Sequence, residues 1–192
     1  MDYDHFMGEA LQEAQKALSR GEFPVGCVMV HRDRIVARGA RKGTRDNGRN
    51  ELDHAEMLAL RQLVRLNEEL EPADVTVFCT MEPCLMCFSA LILAGVGEVV
   101  FAYEDAMGGG SGCDRSQMKP LYRDSPIVVR PHVRRGESLA LFQKFFEKFP
   151  RATLEMEVTG ARQIGDGLAV EEGVRLITAD AGAAAAQMRY VA

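Results

Sequence analysis

Val75-Thr76-Val77-Phe78-Cys79-Thr80-Met81-Glu82-Pro83-Cys84-Leu85-Met86-Cys87 passes from an apolar, β-branched run into a proline and two cysteines three apart. The first five residues are too short, and too rich in branched and aromatic side chains, to prefer helix; they are predicted to form a buried strand. Pro83 has a fixed φ and no N–H to leave unpaired, which suits the first turn of a helix reaching about Ala94. Cys84 and Cys87 then share one face of that helix. In its first turn, unpaired N–H groups and the helix dipole favour anions, and so favour thiolates. A strand feeding a helix, with two sulfurs at the junction, starts a βα unit that carries either a metal site or a redox pair.

The flanking sequence extends this unit. Val99-Val100-Phe101-Ala102-Tyr103 is the next predicted strand. Upstream, residues 4–20 place Phe6, Ala10, Leu11, Ala14, Ala17 and Leu18 at helical spacing, closed by Gly21, which suits a left-handed C-cap. Residues 24–30 and 34–39 read as a hairpin through His31-Arg32-Asp33. A polar loop, 42–53, leads to a helix from Ala55 to about Asn67. Residues 127–130 form a weak fifth strand. Residues 137–149 form a helix whose Leu141, Phe142, Phe145, Phe146 and Phe149 are core packing in the simplest reading and a stacking or partner surface in the other. Hairpin, helix, strand, helix, strand predicts an α/β chain: a three-layer α/β/α sandwich around a central mixed five-stranded sheet whose later strands run parallel. Residues 1–150 form that domain. Residues 151–192 are an extension of unknown role, with possible strands at 153–158 and 174–178 and a small-residue run at 181–186.

His54-Ala55-Glu56 completes the site. Two residues apart, a histidine and a glutamate diverge in mid-helix. At a helix start one reaches a metal and the other a water beside it. His54, Cys84 and Cys87 supply three ligands for one zinc ion per chain, leaving the fourth tetrahedral position open, which is the arrangement of a catalytic rather than a structural zinc. Each half alone is ambiguous: His-x-Glu is a common surface pair, and Cys-x-x-Cys fits half of a structural zinc site or a redox pair. A four-cysteine site needs a second pair, whereas Cys27, Cys79 and Cys113 are scattered singly. A redox motif usually opens the first helix of its domain; this one follows the third strand. Glu56, not a ligand, is the candidate catalytic proton carrier. Gly108-Gly109-Gly110-Ser111-Gly112 lacks the lysine and spacing of a phosphate cradle and reads as a flexible loop.

Composition bounds the setting. The chain has 192 residues, 47% of them apolar and 27% charged, ordinary for a globular protein with a sizeable core. No apolar run is long enough to span a membrane. The acidic N-terminus opens an amphipathic segment rather than a signal peptide. Five cysteines, two of them explained by metal, do not make a disulfide framework, and a cytoplasmic protein is expected. A net charge of −5 argues mildly against a polynucleotide partner. Local clusters do exist at Arg38, Arg41, Lys42, Arg45 and Arg49, and at Arg130, Arg134 and Arg135; they read as solvated loops or as a footprint for RNA. Cys27 and Cys79, in apolar strands, are expected to be inert core thiols. Cys113 sits in the glycine-rich loop without a histidine partner. His5, His31 and His132 have no ligand-like spacing and are expected at the surface.

His-x-Glu followed by Pro-Cys-x-x-Cys is the signature of the zinc deaminases. The chain resembles the cytidine deaminase superfamily, and within it the tRNA adenosine deaminases, over residues 6–149. The resemblance rests on Phe23-Pro24-Val25-Gly26-Cys27-Val28-Met29-Val30, on His54-Ala55-Glu56 with Ala59-Leu60, and on Thr80-Met81-Glu82-Pro83-Cys84-Leu85-Met86-Cys87. It continues through Val99-Val100-Phe101, Gly110-Ser111 and Phe145-Phe146. It implies the same fold, zinc, a homodimer, and Glu56 as proton shuttle. It also implies a base pocket lined by Phe23 and Val25 and bordered by Pro83, with Ala55 and Arg41 as further substrate contacts; Phe23 and Val25 are equally suited to the core. Arg41 stands where the family usually has an asparagine, the loop to His54 looks about two residues longer, and Asp53 replaces a small residue. The resemblance implies adenosine-to-inosine deamination in tRNA. Deamination of a free base, nucleoside or nucleotide (cytosine, guanine, cytidine or deoxycytidylate) is the alternative that Arg41 favours, since an arginine there suits a substrate phosphate. A silent subunit binding RNA or a partner is a third; Glu56 speaks against it.

Overall fold

Asp2 caps the first helix, its carboxylate accepting from the His5 N–H at 3.0 Å. Helix α1 (Tyr3–Ser19) buries the predicted Phe6, Ala10, Leu11, Ala14, Ala17 and Leu18, and Met7 and Glu13 with them. It ends in a Schellman motif: Gly21, at φ 75°, and Glu22 donate to the carbonyls of Leu18 and Ala17. The computed structural model describes residues 1–44, 50–66 and 70–149, and beyond them only the strand backbones at 155–159, 162–164, 167–169 and 173–177.

Strands β1 (Gly26–His31) and β2 (Arg34–Ala40) form the predicted hairpin. Arg32 and Asp33 sit at φ 49° and 61°, both left-handed, as the two-residue turn that matches strand twist requires. Helix α2 (Ala55–Leu63), strand β3 (Val75–Met81), helix α3 (Leu85–Leu93) and strand β4 (Glu98–Tyr103) follow. After them come a short helix α4 (Pro120–Arg123), strand β5 (Val128–Arg130) and helix α5 (Arg135–Lys148). The five strands make one mixed sheet in the order β2-β1-β3-β4-β5, with β1 antiparallel to both neighbours and β3, β4 and β5 parallel. The strands β1 and β3 are buried on both faces and so read as continuous apolar runs. Helices α1 and α5 touch each other across one face of the sheet; α2 and α3 do so on the other. This is the three-layer α/β/α sandwich with a central mixed five-stranded sheet.

Three local expectations are corrected. Helix α2 stops at Leu63 rather than near Asn67, which lies outside the described residues. Its apolar face runs out there: Val64 is 69% exposed, and Arg65 and Leu66 close tight turns onto Gln62 and Leu63. Pro83 does not stand inside α3 but before its cap, Cys84. His31 is buried, because it ends a central strand and stacks between Arg34 and Val75 in the ladder. Past residue 149, β6 (Glu155–Thr159) pairs antiparallel with β9 (Gly173–Ile177), and β7 (Arg162–Ile164) with β8 (Gly167–Ala169). The inner pair was not expected; the run at 181–186 lies outside the described residues.

Candidate metal centre and substrate cavity

His54 is the N-cap of α2 and Cys84 the N-cap of α3, and neither side chain caps its helix. Serine, threonine or aspartate there would bond the first free N–H groups and add about 1 kcal/mol. Here both cap side chains turn toward each other instead. Cys87, three residues on, brings the third donor from the first turn of α3. His54 Nδ1 lies 3.5 Å from the Cys84 sulfur and 3.5 Å from the Cys87 sulfur. Zinc–nitrogen bonds near 2.05 Å and zinc–sulfur bonds near 2.3 Å at a tetrahedral angle give a separation of roughly 3.5 Å. The donor set therefore fits a tetrahedral zinc with one open position, as predicted from spacing, and the three donor atoms all fall within 4.8 Å of one another. A hydrogen bond with Cys87 holds the Cys84 thiol down to about 4 against its burial, while that same contact and burial push Cys87 up. Two sulfurs sharing one proton is the state a divalent cation would displace.

Glu56, two residues into the first turn of α2, is 3% exposed, and its Oε2 has no hydrogen-bond partner among the described residues. Leaving a buried acceptor unmatched costs about 1–3 kcal/mol. Burial raises the Glu56 carboxyl above its ordinary range, opposed by His54 and Arg41. A carboxyl with one oxygen left unpartnered, beside a metal donor set, is placed to carry a proton.

A cavity of about 330 Å³, counting the space open to solvent, is lined by Phe23, Val25, Arg41, His54, Ala55 and Glu56 together with Met81, Glu82, Cys84 and Asp105. Phe23, Val25, Arg41 and Ala55 thus all face the metal donors. Phe23 also packs on Phe142, Phe145 and Phe146 of α5 at 4.9, 5.4 and 6.1 Å, so it belongs to core and cavity at once. Pro83 is buried but does not line the cavity; its carbonyl accepts from the Gly110 N–H at 2.9 Å. Arg41 is 4% exposed, its Nη2 donating to Glu51 Oε2 at 2.7 Å.

Glu82 was missed in the sequence. Its side chain accepts from the Asp105, Ser111 and Gly112 N–H groups and from the Ser111 hydroxyl. The glycine-rich segment expected to be a flexible loop is thereby tied over the metal donors. Nothing in composition marks such a carboxylate, because its partners are three backbone N–H groups and one hydroxyl, 23 to 30 positions away. The basic clusters are largely neutralised: Arg38 pairs with Glu9, Arg130 with Glu98, Arg134 with Glu137 and Arg135 with Glu104. Arg45 and Arg49 lie outside the described residues. Cys27 and Cys79, both fully buried, face each other across β1 and β3 with sulfurs 3.8 Å apart, and burial raises both thiols. Cys113 is half-buried, and His5 and His132 are exposed.

Helices on both faces of a mixed sheet, an open His–Cys–Cys donor set and a buried carboxylate together define a metal-dependent hydrolytic site. The family model for the cytidine and deoxycytidylate deaminase zinc-binding region matches residues 1–103, which contain the whole donor set and Glu56. The chain belongs to that family of zinc-binding deaminases. It is 32% identical to a tRNA-specific adenosine deaminase of Streptococcus pyogenes over 148 residues, covering 75% of this chain and 89% of that one. It is 37% identical to the Bacillus subtilis tRNA-specific adenosine deaminase over 107 residues, 56% of this chain and 65% of the relative. A solved tRNA:A34 deaminase that performs A-to-I editing at the wobble position superposes with a TM-score of 0.61 at 31% identity, covering 71% of this chain and 98% of that chain.

Proposed function

We propose that this protein hydrolyses the exocyclic amino group of adenosine in tRNA, giving inosine and ammonia. The observation that carries the chemistry is the unpartnered Glu56 oxygen beside the His54–Cys84–Cys87 donor set. Identity to tRNA-specific adenosine deaminases over most of their length supports the substrate. His54, Cys84 and Cys87 would hold zinc, which when bound lowers the pKa of water toward neutrality and so supplies hydroxide. Glu56 would take the proton that water gives up as hydroxide forms, deliver it to the ring nitrogen next to the attacked amino-bearing carbon, then collect the proton of the newly added hydroxyl and pass it to the departing amine. Phe23 and Val25 offer apolar surface to the base, Ala55 a surface with no bulk to exclude it, and Arg41 a donor; Pro83 acts only through the Gly110 N–H it holds. The Glu82 tie keeps the 105–112 segment over the site and limits bulk water.

The catalytic domain is residues 1–150, with 151–192 appended. The unit is a homodimer: α3 carries no charged residue yet leaves Leu85 48% and Leu93 62% exposed, an apolar face that another surface should cover. No helix among the described residues is long and apolar enough to cross a membrane, which accords with action in the cytoplasm. Mass spectrometry of products from the zinc-loaded protein, offered unmodified tRNA together with free cytosine, guanine, adenosine, cytidine and deoxycytidylate, tests the reading. Inosine confined to tRNA is the expected result. Loss of an amino group from a small molecule with tRNA untouched would overturn it.

A further inference from the structure

Among the described residues that line the cavity, Arg41 is the only arginine or lysine. Its position is fixed from three directions. The backbone N–H donates to the Val25 carbonyl at 2.9 Å, continuing the β1–β2 ladder one residue past β2. The guanidinium Nη2 is held by Glu51, which also stands 3.9 Å from the outer nitrogen of His54. The side chain is buried to 4% exposure, so its rotamer is set by packing. With Glu51 the pair is neutral, which is what lets a guanidinium remain so deep. Yet one edge of the fork is unused: Nη1 is buried and has no hydrogen-bond partner among the described residues.

A guanidinium carries five N–H donors and can never accept. An asparagine at such a place offers either polarity, and chooses its orientation to suit the ligand. We propose that Arg41, pinned by Glu51, is a specificity residue whose Nη1 donates to an acceptor atom of the substrate nucleotide, so that the cavity selects nucleotides presenting a lone pair at that point. Because Glu51 already balances the charge, one neutral acceptor satisfies it. A ring nitrogen, a sugar oxygen or one oxygen of a flanking phosphate each meets that requirement. The identity of the polymer rests on the tRNA reading above; the polarity of the contact does not.

A double-mutant cycle separates these sources. The probes are RNA stem-loops whose target adenosine is replaced by 3-deaza-, 7-deaza- or 2′-deoxyadenosine, or whose flanking phosphates are methylphosphonates. Binding is measured by fluorescence anisotropy on the full-length, zinc-loaded Glu56→Ala protein, with and without Arg41→Ala. One probe should weaken binding roughly 10- to 100-fold when Arg41 is present and less than about twofold when it is absent, naming the acceptor. Arg41→Lys, which keeps the charge but loses the fork, should show a smaller coupling. If every probe costs the same in both backgrounds while Arg41→Ala only lowers the melting temperature, Arg41 is a brace and the proposal is overturned. Inosine formation in the unmodified stem-loop by the wild type is read in parallel. If it is absent, the tRNA reading fails by itself, and the same cycle is run with deaza analogues of whichever small molecule the product panel identifies, under the same criterion.

Discussion

Glu56 Oε2 is held in a state that folding alone does not favour: an acceptor sealed from water and given nothing to accept. Replacing Glu56 by alanine should leave zinc content at one per chain while lowering kcat by at least the 10²- to 10⁴-fold typical of a positioned proton carrier, checked by metal analysis alongside product assay. Cys84→Ala should do the reverse in order of cause, losing zinc first and activity as a result. A second consequence concerns stability. Burial raises the Glu56 pKa in the fold, so the unfolded chain gives up its proton at lower pH than the native one. Native stability is therefore full below the ordinary carboxylate range and declines as pH rises through the raised native value. Glu56→Gln removes that decline: the metal-free variant should melt higher than wild type at pH 8 and close to it at pH 4, by roughly 2–4 °C for each kcal/mol relieved. Equal shifts at both pH values would mean that ionisation is not the cause. The residues that spacing revealed were those whose partners are near in sequence or fixed by helix geometry: His54 with Glu56, and Cys84 with Cys87. Glu82 was hidden because its partners follow β4, the strand beside its own, and the Arg41–Glu51 pair because it depends on how the segment between β2 and α2 folds back on itself.

Two helices begin with a candidate metal ligand in place of a cap, and to share one ion their starts must lie close together. What brings α2 close enough is Gly39 on β2, where an added Cβ would overlap the Ala55 carbonyl and crowd the Ala59 nitrogen. Gly39→Ala should push α2 off the sheet, with about 1–3 kcal/mol of destabilisation from overpacking and a fall in zinc affinity, read by thermal melting and metal titration. An alanine that costs stability but leaves zinc affinity unchanged would show that the helix start adjusts independently of its body. Helix and strand identities were readable from the sequence, because α1 follows a helical period and β1 and β2 are short apolar runs joined across a polar turn. The end of α2 was not, since a helix stops where it has no more surface to bury, and that depends on the sheet beneath it. The burial of His31 had the same origin: the residue is ordinary, and its strand is central.

The order of strands, with the antiparallel hairpin on one side and β3, β4 and β5 running parallel on the other, sets the donors of β3's helix beside those of the hairpin's helix. That arrangement followed from the alternation of elements. Charge did not reveal its outcome as directly, because the arginines that looked like an RNA footprint mostly meet carboxylates of their own chain. The uncovered apolar face of α3 gives the assembly its test: Leu93→Glu should convert a dimer to monomers in sedimentation measurements, with little loss of melting temperature in the monomer, since Leu93 is 62% exposed. A wild type that sediments as a monomer would instead leave that face for another partner. The cavity itself sets one more condition. It is a recess lined by Phe23, Val25 and Glu82, with Glu56 in its wall, so a target base has to enter it to meet that carboxylate. A nucleotide stacked in a duplex cannot be reached without being swung out of line, at a few kcal/mol, whereas one at the apex of a hairpin is already half-unstacked. The shape of the RNA would then choose which adenosine is exposed to Glu56 before any side chain reads it.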